Sequence, residues 1–84
     1  MIEFTDYEME IFCKTAKTIT KKGHLTFKAI LSFIGSKNHK KDLKALKQLV
    51  QLGLLGKHRV DTYELTSKGR LFAIGECDWF KERY

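Results

Sequence analysis

The chain has 84 residues and a net charge of +6, and 43% of its residues are hydrophobic, among them one Trp, three Tyr and six Phe. This length fits a single domain with a modest core, and the apolar content excludes a disordered tail. Residues 11–60 hold twelve Lys or Arg against one acid, Asp42, between acidic ends of the chain, and this uneven charge indicates a polyanionic partner.

The first predicted helix covers about residues 6–22. Thr5 followed by Glu8 forms a capping box, which is a signal for a helix start. Apolar residues then recur at helical spacing and form one face of the helix. This face consists of Met9, Phe12, Cys13, Ala16 and Ile19. Gly23 is expected to end the helix.

Two more helices are predicted between Thr26 and Gly53. After a short extended piece, Thr26 caps the second helix, which stops at Gly35. Either Ser36 or Asn38 caps the third helix, expected over residues 38–52. Two short helices joined by a tight turn have the layout of a helix-turn-helix.

A β-hairpin and a last helix complete the predicted order. The residue pattern predicts two short strands, at residues 54–60 and 62–65, joined by a turn near Asp61. Thr66 caps a single C-terminal helix over about residues 66–82, in which Gly75 marks a bend or a close helix crossing. The predicted fold is mainly α with a small β-hairpin, in the order α1-β1-α2-α3-β2-β3-α4.

The third predicted helix has one face that carries no carboxylate. An ordinary solvated helix alternates Glu with Lys, because like charges at i,i+4 repel one another. The apolar stripe is Leu43, Leu46, Leu49 and Val50, and the opposite face is Lys37, Lys40, Lys41, Lys44, Lys47, Gln48 and Gln51. Phosphates would relieve the repulsion among these lysines, so the face indicates DNA binding; a solvated charged face is the alternative.

Two segments resemble the winged helix-turn-helix regulators of prokaryotes. Residues 46–55, Leu-Lys-Gln-Leu-Val-Gln-Leu-Gly-Leu-Leu, match the pattern in which the recognition helix of that family ends and its wing begins. Residues 63–70, Tyr-Glu-Leu-Thr-Ser-Lys-Gly-Arg, match the pattern that closes the wing. The resemblance implies a single winged helix domain over residues 1–84, with the helix-turn-helix at about 26–53 and the wing at about 54–65. The third helix is longer than a compact member of the family needs.

In such a domain the third helix enters the major groove, and the wing contacts the backbone or the minor groove. Asn38 and Gln48 carry amides that can pair with adenine edges, and Lys41 and Lys44 are further candidate base readers. The other lysines are expected on phosphates. The predicted DNA-binding residues are Lys37, Asn38, Lys40, Lys41, Lys44, Lys47, Gln48, Lys57, His58 and Arg59. For the three wing residues, incidental surface charge is the alternative.

The terminal helices carry more apolar side chains than one small core would cover, which predicts a homodimer. The expected interface is Tyr7, Ile11, Phe72, Trp79 and Phe80. The alternative is that Trp79 and Phe80 fold back onto the first helix of the same chain.

The remaining chemistry-bearing residues predict neither catalysis nor a cofactor. Cys13 and Cys77 are expected as reduced thiols in or near the core, with a redox-sensing pair or an intersubunit disulfide as alternatives. The spacings of the cysteines and of His24, His39 and His58 match no zinc motif, so we expect no metal site. No motif of a known catalytic site is present, which argues against an enzyme.

We therefore predict a DNA-binding transcriptional regulator. An interaction domain for an acidic protein, or a non-specific chromatin-like or replication-associated DNA binder, are the alternatives. No apolar run approaches the roughly 20 residues that span a bilayer, and the chain does not start like a secretory signal peptide. These features predict a cytoplasmic protein without a membrane partner.

Overall fold

The computed structural model describes residues 4–84, which form five helices and three short strands. The elements are α1 (Asp6–Lys22), β1 (Leu25–Thr26), α2 (Phe27–Phe33), α3 (His39–Gln51), β2 (Leu55–Lys57), β3 (Thr62–Leu65), α4 (Ser67–Glu76) and α5 (Asp78–Lys81). The expected fold class is confirmed at the level of a mainly helical protein with a small antiparallel sheet. No helix in this part of the chain is long and apolar enough to cross a membrane.

The predicted helix caps are present. The hydroxyls of Thr5, Thr26 and Thr66 each accept a backbone N–H from the first turn of the following helix. For α3 the sequence left two candidates, and the cap is Asn38, whose Oδ1 accepts the N–H of Lys41 at 3.1 Å. Ser36 instead donates its hydroxyl to Asp42. These caps satisfy backbone donors that would otherwise lack a partner at each helix start.

The three strands form one antiparallel sheet in the order β1-β3-β2. Leu25 pairs with Tyr63, and Leu55 pairs with Leu65. The predicted hairpin is therefore present, but β2 ends at Lys57 and not at residue 60. The last ladder bond is from the N–H of His58 to the carbonyl of Thr62, at 2.8 Å, so residues 59–61 form the turn. The apolar Val60 lies in this turn, 87% exposed.

The core lies between α1 and the rest of the molecule. Phe12 of α1, Leu46 of α3 and Phe80 of α5 are fully buried within it. The predicted apolar face of α1 is correct for Phe12, Ala16 and Ile19, whereas Met9 and Cys13 are only half-buried. Ile11 and Thr15 are buried as well. Because α1 contacts α2, α3 and α4, more than one face of this helix is buried.

The predicted single C-terminal helix is wrong, since it breaks at Cys77. This residue is extended, with φ −108° and ψ 122°, and separates α4 from α5. Gly75 has no atom of another element near the position of a Cβ, so the expected close crossing is absent. The break redirects the chain so that Phe80 enters the core.

The prediction of two reduced cysteines is also wrong. Cys13 of α1 and Cys77 form a disulfide within the chain, with Cα atoms 5.5 Å apart and a sequence separation of 64. The two residues are far apart in sequence and meet because α4 and α5 pack back against α1. This bond joins the first helix to the C-terminal end of the fold.

Candidate functional site

The polar face of α3 is exposed along its whole length. Leu46 and Leu49 are buried on the other side of the helix, together with Ala45, and they fix its rotation. The residues predicted for DNA contact on and before α3 are all exposed: Lys37, Asn38, Lys40, Lys41, Lys44, Lys47 and Gln48. We call these residues, together with Gln51, the α3 face.

The single acid of the basic central segment does not reach the α3 face. Asp42 is only 2% exposed, and its carboxylate accepts hydrogen bonds from the hydroxyls of Tyr7 and Ser36. The hydrogen bond to Asp42 raises the pKa of Tyr7, and desolvation and the charges of Asp42 and Glu10 act in the same direction. The two hydroxyls thus satisfy the buried carboxylate of Asp42, and the surface of α3 is left without a negative charge.

Among residues 4–84 no ion pair joins a lysine of the α3 face to a carboxylate. The ion pairs of this part of the chain lie elsewhere, for example between Lys14 and Glu10. Because no carboxylate of residues 4–84 pairs with these lysines, their positive charges are not neutralised. They repel one another and give the face a concentrated positive potential. Such a surface attracts polyanions.

Two members of the α3 face are already engaged within the chain. Asn38 uses its Oδ1 to cap the helix, and a bidentate contact to adenine would need that same oxygen. The Nζ of Lys41 lies 4.0 Å from the centre of the Tyr7 ring, a cation–π contact. These positions favour Lys40, Lys44, Lys47 and Gln48 as the side chains free to meet a ligand.

The hairpin contributes fewer cations than the sequence suggests. Lys57, His58 and Arg59 are all exposed, as expected. However, the ring of His58 stacks on that of His24, with centroids 3.5 Å apart, and its Nδ1 lies 3.8 Å from Oε1 of Glu64. A neighbouring carboxylate disfavours contact with phosphate, so Lys57 and Arg59 remain as the basic groups of the hairpin.

The side chains predicted for a dimer interface are engaged inside the single chain. Ile11 and Phe80 are core residues with 5% and 1% exposure, so their assignment to a surface is wrong. Tyr7 donates to Asp42, Phe72 packs on Phe12, and Trp79 packs on Phe80. These side chains are engaged within the chain because the last helix folds back onto the core. Pairing between two copies of the chain stays a prediction.

A cluster that the sequence reasoning missed lies at the base of the hairpin. His24, His58 and Glu64 bring their ligand atoms within 4.8 Å of one another. His24 precedes β1, His58 follows β2 and Glu64 lies in β3. Because the three residues belong to different parts of the sheet, no local spacing in the sequence indicates the cluster. The antiparallel register of the sheet is the signal that brings them together.

No protein-family profile, curated protein or solved structure matches this chain.

Proposed function

We propose that this protein is a winged-helix DNA-binding protein that acts as a transcriptional regulator in the cytoplasm, with α3 in the major groove. The observation that carries the proposal is the α3 face, which is basic, exposed and free of carboxylates because Asp42 is turned inward. The element order helix-turn-helix followed by a hairpin supports the same assignment. Lys57 and Arg59 of the hairpin are exposed and are assigned to contacts with the DNA backbone.

The side chains of the α3 face divide into two proposed roles. Lys40, Lys44 and Lys47 have no hydrogen bond or ion pair to a described residue and are assigned to phosphates. Gln48 carries a carboxamide with both a donor and an acceptor, so it is the favoured base reader. Asn38 is assigned to capping instead.

The test is the salt dependence of binding to duplex DNA, measured by fluorescence anisotropy. We expect the variant Lys40→Ala/Lys44→Ala/Lys47→Ala to lose affinity and to flatten the slope of log K against log salt by about 0.9 for each phosphate contact removed. The matched control is Lys14→Ala/Lys17→Ala/Lys21→Ala, which removes the same charge from a comparable ridge of α1. An unchanged slope in the α3 variant, or equal losses in both variants, would contradict the proposed groove contact.

The two rival functions give different results in the same assay. Equal affinity for unrelated duplexes would favour a non-specific DNA binder, and absence of duplex binding at physiological salt would favour an acidic protein partner. A preferred motif from a random duplex pool that is lost in Gln48→Ala would support sequence reading.

The cytoplasmic location follows from the proposed DNA target, whereas the Cys13–Cys77 bond is of a kind found mainly in oxidising compartments. DNA binding in both redox states is therefore part of the test. Cys13 lies in α1 and Cys77 lies between α4 and α5, so neither is part of the α3 face, and we expect equal affinity in the oxidised and reduced protein.

A further inference from the structure

The sheet places three potential metal ligands on one of its faces. Leu25 pairs with Tyr63, so the preceding residue, His24, stands beside Glu64 across β1 and β3. Glu64 pairs on its other side with Gly56, which has no side chain, and His58 is two residues beyond Gly56. Because side chains in a strand alternate between faces, His24, His58 and Glu64 project to the same side.

The ligand atoms converge on one carboxylate oxygen. His24 Nε2 lies 3.7 Å and His58 Nδ1 lies 3.8 Å from Oε1 of Glu64. Both distances are too long for hydrogen bonds. Two ligand atoms about 2.0–2.1 Å from a tetrahedral Zn²⁺ ion are roughly 3.3–3.5 Å apart. The imidazole rings of His24 and His58 are stacked, with 19° between their planes, so one ring must turn about its side-chain bonds before both nitrogens point at the same ion. Both side chains are exposed, and exposed side chains change rotamer readily.

The two imidazole rings stack on each other, but the three ligand atoms are available to an ion. None of them donates or accepts a hydrogen bond with another group of residues 4–84. Their side chains are 45%, 32% and 43% exposed for His24, His58 and Glu64, so an ion can enter from solvent and keep a water molecule as a fourth ligand. Both cysteines are held in the disulfide and do not compete as ligands.

We propose that His24, His58 and Glu64 form a binding site for one divalent transition-metal ion, with Zn²⁺ the ion that fits best. Two imidazole nitrogens and one carboxylate are a donor set that Zn²⁺ accepts, whereas Mg²⁺ and Ca²⁺ prefer oxygen ligands alone. The ion ties the start of β1 to the end of β2 through Glu64 of β3. This proposal is independent of DNA binding.

The test is isothermal titration of the full chain with ZnCl₂, together with thermal unfolding. We expect one ion per chain, a Tm that rises with zinc concentration, and no saturable binding of MgCl₂. His24→Ala and the nearly isosteric Glu64→Gln should each weaken zinc binding by about tenfold or more, since even outer-shell changes at metal sites cost that much.

His39→Ala is the matched control, because His39 is an exposed histidine of α3 outside the cluster. It should bind zinc as the unaltered chain does. Absence of saturable zinc binding would overturn the proposal, and so would an equal loss of affinity in His39→Ala. If His24→Ala fails to fold, Glu64→Gln decides the matter alone, since unchanged affinity in that variant would remove the carboxylate from the site.

Discussion

At the scale of single residues, the buried carboxylate of Asp42 determines which charges α3 presents to solvent. This carboxylate accepts hydrogen bonds from the hydroxyls of Tyr7 and Ser36. It thereby links the start of α1 to the turn before α3. Buried carboxylates are tolerated where such donors satisfy them. This arrangement fixes the first turn of α3, which carries Lys40 and Lys41.

We expect Tyr7→Phe to lower the free energy of unfolding, because Asp42 loses a donor while it stays buried. The pKa of Tyr7 is raised in the folded protein, so its contribution is complete below the unfolded value near 10 and is lost as the pH rises above it. Urea unfolding from pH 7 to pH 11 should therefore show a difference between the two proteins that is constant up to about pH 10 and then shrinks.

Tyr84→Phe is the control for this measurement, since the Tyr84 hydroxyl has only a 3.4 Å contact to Arg70 and the side chain is 56% exposed. Its stability should be close to that of the unaltered chain. A Tyr7→Phe difference that stays constant through pH 11 would contradict the role of the Asp42 hydrogen bond.

At the scale of elements, the packing of α4 requires a glycine at position 69 but not at position 75. A Cβ built on Gly69 would lie 2.1 Å from the carbonyl oxygen of Leu54, which is backbone and cannot move aside easily. Gly75, in the same helix, has open space around it and a negative φ. The two glycines therefore have opposite expected effects on stability.

We expect Gly69→Ala to lower the free energy of unfolding by about 1–3 kcal/mol through overpacking against Leu54. Gly75→Ala should raise it by about 0.5–1 kcal/mol, because alanine is the better helix former and meets no neighbour there. Chemical denaturation of both variants is the measurement. Equal effects of the two substitutions would show that the approach of α4 to Leu54 does not limit the packing.

The elements that the sequence predicts correctly are those with local signals. The hydroxyls of Thr5, Thr26 and Thr66 mark helix starts through contacts within one turn. Helical spacing also predicts the burial of Leu46 and Leu49, whereas Leu43 and Val50 of the expected stripe are only half-buried. The break at Cys77 and the inward turn of Asp42 depend on residues far away in the chain. Local spacing does not contain that information.

The candidate site shows the same division. The basic side chains of α3 could be predicted because one helix presents them all, and their exposure agrees with the helical projection. The cluster of His24, His58 and Glu64 needs the pairing of three strands, and the engagement of Lys41 with Tyr7 needs the docking of α1 on α3. Both are products of tertiary structure.

At the scale of the whole molecule, the Cys13–Cys77 disulfide constrains the unfolded chain, because it closes a loop with a sequence separation of 64. We expect reduction, or the double variant Cys13→Ala/Cys77→Ala, to lower the free energy of unfolding by about 2–4 kcal/mol. Urea denaturation with and without dithiothreitol measures this. The unaltered chain should respond to the reductant and the double variant should not; equal stability of both proteins without reductant would contradict a stabilising bond.

The same bond makes a covalent ring of everything between α1 and α5, and this ring contains α2, α3, the hairpin and α4. A backbone cut within the ring, for instance after the exposed Arg59 in the hairpin turn, opens it into a linear chain but releases no fragment. In the oxidised protein the two pieces stay joined next to the core they share. In the reduced protein no covalent bond would join β3, α4 and α5 to the rest of the molecule after such a cut, and only strand pairing and core packing would hold them in place.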